Sequence, residues 1–174
     1  MRRLMVLALL AASGTRAQQY TAKGELALPD YRRWVYLGSG IGMTYTGNAP
    51  NDPPFTNVFV EPAAYESFLK SGTWPDKTVI IAEMRASSTA VSINKGGRVQ
   101  TAKVIAIEGE VKDAAKGGWA FYGFENSAQK GTLFPKSAPC YSCHEQHAAT
   151  DNTFVQFYPT LIGVAKKYGT YKER

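Results

Sequence analysis

Cys140-Tyr141-Ser142-Cys143-His144 holds the only two cysteines of the chain, with two residues between them and a histidine directly behind. No other stretch constrains the fold as tightly, because two thiols and an imidazole at this spacing must close on one shared object. C-x-x-C-H is the attachment pattern of c-type haem. Each thiol adds across a vinyl group of the porphyrin as a thioether, and the adjacent imidazole ligates the iron. The motif thus implies one covalent haem c, with Cys140, Cys143 and His144 binding the cofactor and His144 as the metal ligand. Competing uses of the cysteines fit less well. A four-ligand zinc site needs two further Cys or His, and the only histidines, His144 and His147, both sit at the motif. A thioredoxin-like dithiol belongs between a strand and a helix in a βαβ unit. Here the motif follows Phe134-Pro135 and Pro139, which suits a loop entering a helix.

The N-terminus reads as an export signal over residues 1–17. Arg2 and Arg3 precede a short apolar run from Leu4 to Ala12, and Thr15-Arg16-Ala17 ends in a small residue suited to cleavage. The run is too short to span a bilayer. Export places the protein in the periplasm, the side of the bacterial membrane on which c-type haem is attached. Residues 18–174 then form a single haem domain. Without the signal, 17 Lys+Arg face 14 Asp+Glu, so the net charge drops from +6 to +3. Dispersed lysines at that charge give no case for nucleic acid.

Asp30 as an N-cap before Trp34, Val35 and Leu37 predicts a short helix, and Gly38, Gly40, Gly42 and Gly47 with the stretch from Asn48 to Pro54 predict a long loop after it. Val58–Val60 reads as a strand, and Pro62 opens a helix over residues 63–70 that Ser71-Gly72 stops. Thr78–Arg85, a weaker Val91–Ile93, Val104–Val111 and Trp119–Phe124 read as further strands, joined most simply as antiparallel neighbours. A helix is expected around Phe154–Phe157, interrupted near Pro159. The fold class is α+β: an antiparallel β-sheet flanked by helices, with the covalently bound c-type haem near the C-terminal end. Ordinary class I cytochromes c differ, being nearly all helix with the motif close to the start of the mature chain.

In order along the chain come Gly24-Glu25-Leu26, Leu28-Pro29, Tyr31-Arg32 with Trp34-Val35, and Val60 with Pro62 and Tyr65. Then follow Gly72-Thr73-Trp74-Pro75-Asp76-Lys77-Thr78-Val79, Trp119-Ala120-Phe121, Phe134-Pro135, the haem motif and Phe154–Pro159. Their order, with a late C-x-x-C-H, resembles the cytochrome P460 family and its relative, the β-sheet form of cytochrome c′. The resemblance spans residues 24–164. It implies a homodimer of antiparallel sheets, a five-coordinate haem with His144 as the proximal ligand, and an open distal position that binds nitric oxide. The P460 cytochromes proper oxidise hydroxylamine and cross-link a strand lysine to the haem. Ala82 stands at that position in this chain, flanked on its face by Ile80 and Met84.

The reading is therefore a periplasmic mono-haem cytochrome with His-ligated, five-coordinate iron. It binds nitric oxide or carries out redox chemistry on small nitrogen oxides, and exchanges electrons with a redox partner protein. Two alternatives stand beside it: a six-coordinate electron carrier, with Met43 or Met84 as sixth ligand, and a hydroxylamine-oxidising enzyme, disfavoured by Ala82. The distal pocket is assigned to Phe55, Phe59, Ala82 and Met84, with Phe55 or Phe59 as an apolar cap. Phe121, Phe154 and Phe157 are expected at the haem or in the core. Glu83, Glu145 and Asp151 are candidate acid/base groups, solvated by default. Arg32, Arg33 and Arg85 are candidate partners for the haem propionates, and His147 is expected at the surface or in contact with a propionate.

Overall fold

A computed structural model describes residues 25–173 apart from 46, 49, 90 and 126–128. The export signal over residues 1–17 and Gly24 lie outside the described residues. Seven antiparallel strands form one sheet in the order β1-β7-β6-β5-β4-β3-β2. The strands are β1 Leu26–Ala27, β2 Val35–Ile41, β3 Phe55–Val60, β4 Val79–Ser88, β5 Val99–Asp113, β6 Gly118–Phe124 and β7 Lys130–Leu133. Helix α1 (Pro62–Ser71) connects β3 to β4, and α2 (Pro139–His147) and α3 (Pro159–Lys167) follow the last strand. The antiparallel sheet with flanking helices agrees with the expected α+β class.

Both faces of the sheet are apolar, which follows from the two-residue period of its strands. Along β4, Ile80 joins Val60, Phe68, Trp74, Phe121, Val155 and Leu161 in a core covered by α1 and α3. Its neighbours Val79 and Ile81 join Leu26, Tyr31, Ile107, Val111, Tyr122 and Phe124 on the other face. α1 starts with Pro62 in its first turn and ends at Gly72, whose left-handed backbone (φ 70°) lets its N–H reach the Phe68 carbonyl. Phe68 then packs on Trp74 with ring centroids 4.3 Å apart.

Three expectations need correction. The helix predicted from Tyr31 to Leu37 is a single 3₁₀ turn, Tyr31–Arg33, followed by β2. That strand takes in Gly38 and Gly40, the first two glycines of the expected loop, while Gly42 and Pro54 lie outside the strands as expected. At Gly38 a distant part of the chain claims the space a side chain would need. A Cβ on Gly38 would come within 2.8 Å of the Phe157 carbonyl oxygen. Val91–Ile93 is not a strand. It lies between β4 and β5, outside the strands, and Ile93 is exposed. Finally, Val155–Phe157 is a 3₁₀ turn, and Pro159 opens α3 rather than breaking a helix.

Candidate functional site

Cys140, Cys143 and His144 lie on α2, which Pro139 opens. Positions three apart share a helix side, so both thiols face one way, and neither is in a disulfide. α2 packs on β6, where the Phe121 ring meets Tyr141 edge-on at 4.8 Å and His144 at 4.5 Å. Phe154 closes the other side of the imidazole at 4.4 Å. The His144 Nδ1–H donates to the Asn152 carbonyl at 2.8 Å. A carbonyl only accepts, so this bond fixes the proton on Nδ1 and leaves Nε2 with a free lone pair. Burial holds the His144 pKa below the usual imidazole value, only partly offset by that hydrogen bond, so the ring is neutral at pH 7.

His144 lines a cavity of about 410 Å³, within the range of cofactor and ligand sites. Its sheet wall is a cross-strand row, Gly38, Val58, Ala82 and Glu108, in register on β2 to β5. The next row supplies Thr56 and Met84. Phe121, Phe154, Phe157 and Tyr158 form the aromatic wall near His144, and Met43 and Tyr45 come from the segment after β2. No lysine is among the described residues lining it.

The structure thus brings Ala82 and Met84 to the cavity, on the same strand face. Phe55 and Phe59 are elsewhere, which corrects the expected cap. They alternate with Thr56 and Val58, so the residues of β3 that meet the cavity are those two. Phe59 packs instead against Tyr31 and Tyr36 on the opposite face, at 5.6 and 5.9 Å. Glu83 also leaves the site: it is buried on that opposite face, where Tyr31, Arg32 and Arg85 donate to its carboxylate. The same contacts take Arg32 and Arg85 away from the cavity, and Arg33 is exposed beside Asp30. Glu145 and His147 are exposed. Asp151 caps no helix. It receives Lys112 Nζ at 2.6 Å and Trp119 Nε1 at 3.4 Å.

Sequence reasoning missed two carboxyls, Glu108 and Glu110 on β5. Their alternation with Ile107 and Val111 was legible, but it reads as a solvent-facing edge until the register places them beside Ala82 and Phe121. The Glu110 side chain is 12 % exposed, and its Oε2 is sealed from solvent without a hydrogen bond, 3.4 Å from His144 Nδ1. Burial pushes this carboxyl up to about 8, with the Glu108 and Asp151 charges adding to the effect.

Comparison with protein families matches Cytochrome P460 over residues 28–155. The chain belongs to the cytochrome P460 family. No curated protein sequence matches it. As a cytochrome P460 family member it is a c-type haem cytochrome, and haem iron is its cofactor. The residues present fit that group. The donor set is a neutral imidazole with one free nitrogen and two unpaired thiols on one side of a helix. Among the described residues no cluster of three or more His, Cys, Asp or Glu side chains is arranged to hold a bare metal ion.

Proposed function

We propose that this cytochrome P460 family protein is an exported, mono-haem c-type cytochrome whose iron keeps one coordination position for a small nitrogen oxide such as nitric oxide. Cys140 and Cys143 hold the haem by thioether bonds. Each S–H would add across one vinyl C=C of the bound group, sulfur to one carbon and hydrogen to the other, with no electrons left over. His144 Nε2, the nitrogen left free by the Asn152 bond, would ligate the iron. Haem iron supplies reversible binding of diatomic ligands and one-electron exchange.

The chain's own residues set the conditions for that chemistry. Phe121 and Phe154 clamp the imidazole between them, and the Asn152 carbonyl holds its proton on Nδ1. The sheet wall presents an apolar stretch, Val58, Ala82 and Met84, beside Thr56 and the carboxyls of Glu108 and Glu110. The apolar stretch favours a neutral diatomic over water or anions where it faces the ligand. The observation that carries the reading is the Nδ1–Asn152 bond, which commits one nitrogen of a cavity-lining histidine and frees the other. A methyl group at Ala82 and the lack of lysine among the described lining residues argue against hydroxylamine oxidation through a lysine-linked haem.

A second reading has a specific support. Met43 and Met84 both line the cavity, so either thioether could complete a six-coordinate electron carrier. Visible spectra of the purified protein, ferric and ferrous, before and after nitric oxide, separate the two. High-spin iron that binds nitric oxide supports the first reading. Low-spin iron indifferent to nitric oxide overturns it.

The exported state, a homodimer and a protein redox partner complete the proposal, on the family resemblance and the N-terminal sequence. Signal cleavage before Gln18 is checked by N-terminal sequencing of protein from the periplasmic fraction, and the dimer by light scattering.

A further inference from the structure

The His144 Nδ1–H bond ends on a backbone carbonyl, and the loop presenting that carbonyl is built in an unusual way. Thr150 and Thr153 form a bridge, Thr153 N–H to Thr150 O at 2.8 Å and Thr150 N–H to Thr153 O at 3.3 Å. The two residues between them, Asp151 and Asn152, both have positive φ, 48° and 56°. Two left-handed residues inside a four-residue bridge make a type I′ turn, a geometry that Asp and Asn tolerate and most side chains resist. The second of them carries the carbonyl that faces His144.

This turn is tied down on both sides. Lys112 Nζ, at the end of β5, donates to Asp151 Oδ2 at 2.6 Å and to the Trp74 carbonyl at 2.7 Å. Trp119 Nε1 reaches Asp151 Oδ1 at 3.4 Å. Trp74 Nε1 donates to Thr153 Oγ1 at 2.8 Å, and that hydroxyl in turn donates to the Thr150 carbonyl at 2.7 Å. Lys112 and Asp151 are each one-quarter exposed, so their pair is partly shielded from solvent. The segment joining α2 to α3 is thereby pinned to β5, β6 and the turn before β4.

We propose that Lys112 and Asp151 are positioning residues for the iron ligand. Their ion pair latches the Thr150–Thr153 turn so that the Asn152 carbonyl keeps the His144 proton on Nδ1 and makes Nε2 a stronger donor. This rests on the reading that His144 ligates the haem iron. A hydrogen bond at the far nitrogen raises imidazole basicity, and loss of such an outer partner typically costs about 10–100-fold in metal affinity or activity.

The test uses the haem-loaded protein and three variants. In Lys112→Met the latch is broken. In Asn152→Gly the turn geometry and the carbonyl are both kept, since glycine adopts positive φ freely. Lys112→Arg is the conservative replacement. Two quantities are read: the iron–histidine stretching band of the ferrous protein by resonance Raman, and the reduction potential. Lys112→Met is expected to move the band to lower frequency and raise the potential, because a less basic imidazole favours ferrous iron. Asn152→Gly is expected to match the parent, and Lys112→Arg to recover most of the shift.

A merely structural role has the opposite signature, since loosening the loop admits water, favours ferric iron and lowers the potential. A lowered potential in Lys112→Met therefore overturns the proposal, as does an unchanged band. A Glu110→Gln variant that shifts the band while Lys112→Met does not would assign the role to the nearby carboxyl instead. If His144→Gly leaves the parent's iron coordination unaltered, the ligand assignment fails and not only the latch.

Discussion

Replacing Glu83 with glutamine separates stability from the haem site. The carboxylate is 3 % exposed and receives three side chains: the Tyr31 hydroxyl, the Arg32 guanidinium at 2.5 Å and the Arg85 guanidinium. Burial alone would raise its pKa, but the hydrogen bonds from Arg85, Tyr31 and Arg32 outweigh it and hold the group below the usual carboxylate range. Glutamine keeps one accepting oxygen and sets an NH₂ against cationic donors. Hydrogen bonds to a buried charge contribute about 1.5–3 kcal/mol each, and breaking a buried pair costs about 3–5 kcal/mol. Arg32 is half exposed and recovers water, so roughly 2–4 kcal/mol is expected at pH 7. Because the folded pKa lies below the unfolded one, this stabilisation is complete above the ordinary glutamate pKa near 4.5 and fades as pH falls through the folded value. Urea unfolding of Glu83→Gln and the parent should thus diverge at pH 7 and converge in acid. The visible spectrum and nitric oxide affinity should stay as in the parent, since Glu83 is on the sheet face away from the cavity. An equal gap at pH 7 and pH 3 would refute the charge argument, and an altered haem spectrum would refute the separation of the two faces.

The remaining expectations concern the site. Cys140→Ala or Cys143→Ala should leave one thioether, read as a red shift of the pyridine haemochrome band. The double variant should release haem under acid–acetone extraction. Met43→Ala and Met84→Ala should each leave the ferric spectrum unchanged if the iron is five-coordinate, and one of them should convert low-spin to high-spin iron if methionine ligates. Trp74→Phe removes the bond to Thr153 Oγ1 while keeping the ring packed on Phe68. It should cost about 1 kcal/mol in urea unfolding, plus the price of leaving a buried hydroxyl with one partner fewer.

Much of the architecture was legible because apolar alternation is a local property. β4, β5 and β6 follow from their β-branched and aromatic runs, and α1 from Pro62 at its start and Gly72 at its end. β2 was misread because its glycines signal a loop in isolation. Gly38 is instead a close-approach position for the Phe157 carbonyl, 119 residues later in the chain. The cap residues were misassigned for a related reason. Alternation states that Phe59 and Val58 face opposite ways, but not which of two apolar faces holds the cavity. The Asp151-Asn152 pair carried an unused signal, since these residue types favour the positive φ of a primed turn.

The sequence by itself determined the donor set, two thiols and an imidazole at a C-x-x-C-H spacing, late in a strand-rich chain. It also determined that residue 82, on the strand that lines the cavity, carries only a methyl group. Only the tertiary structure decided what surrounds them. Sheet register brought Ala82 between Val58 and Glu108 and sent Glu83 to the far face, and the turn after α2 set the Asn152 carbonyl against His144. Covalent spacing is written in consecutive residues, whereas the surroundings depend on pairings between strands and turns far apart in the chain, which no local pattern encodes.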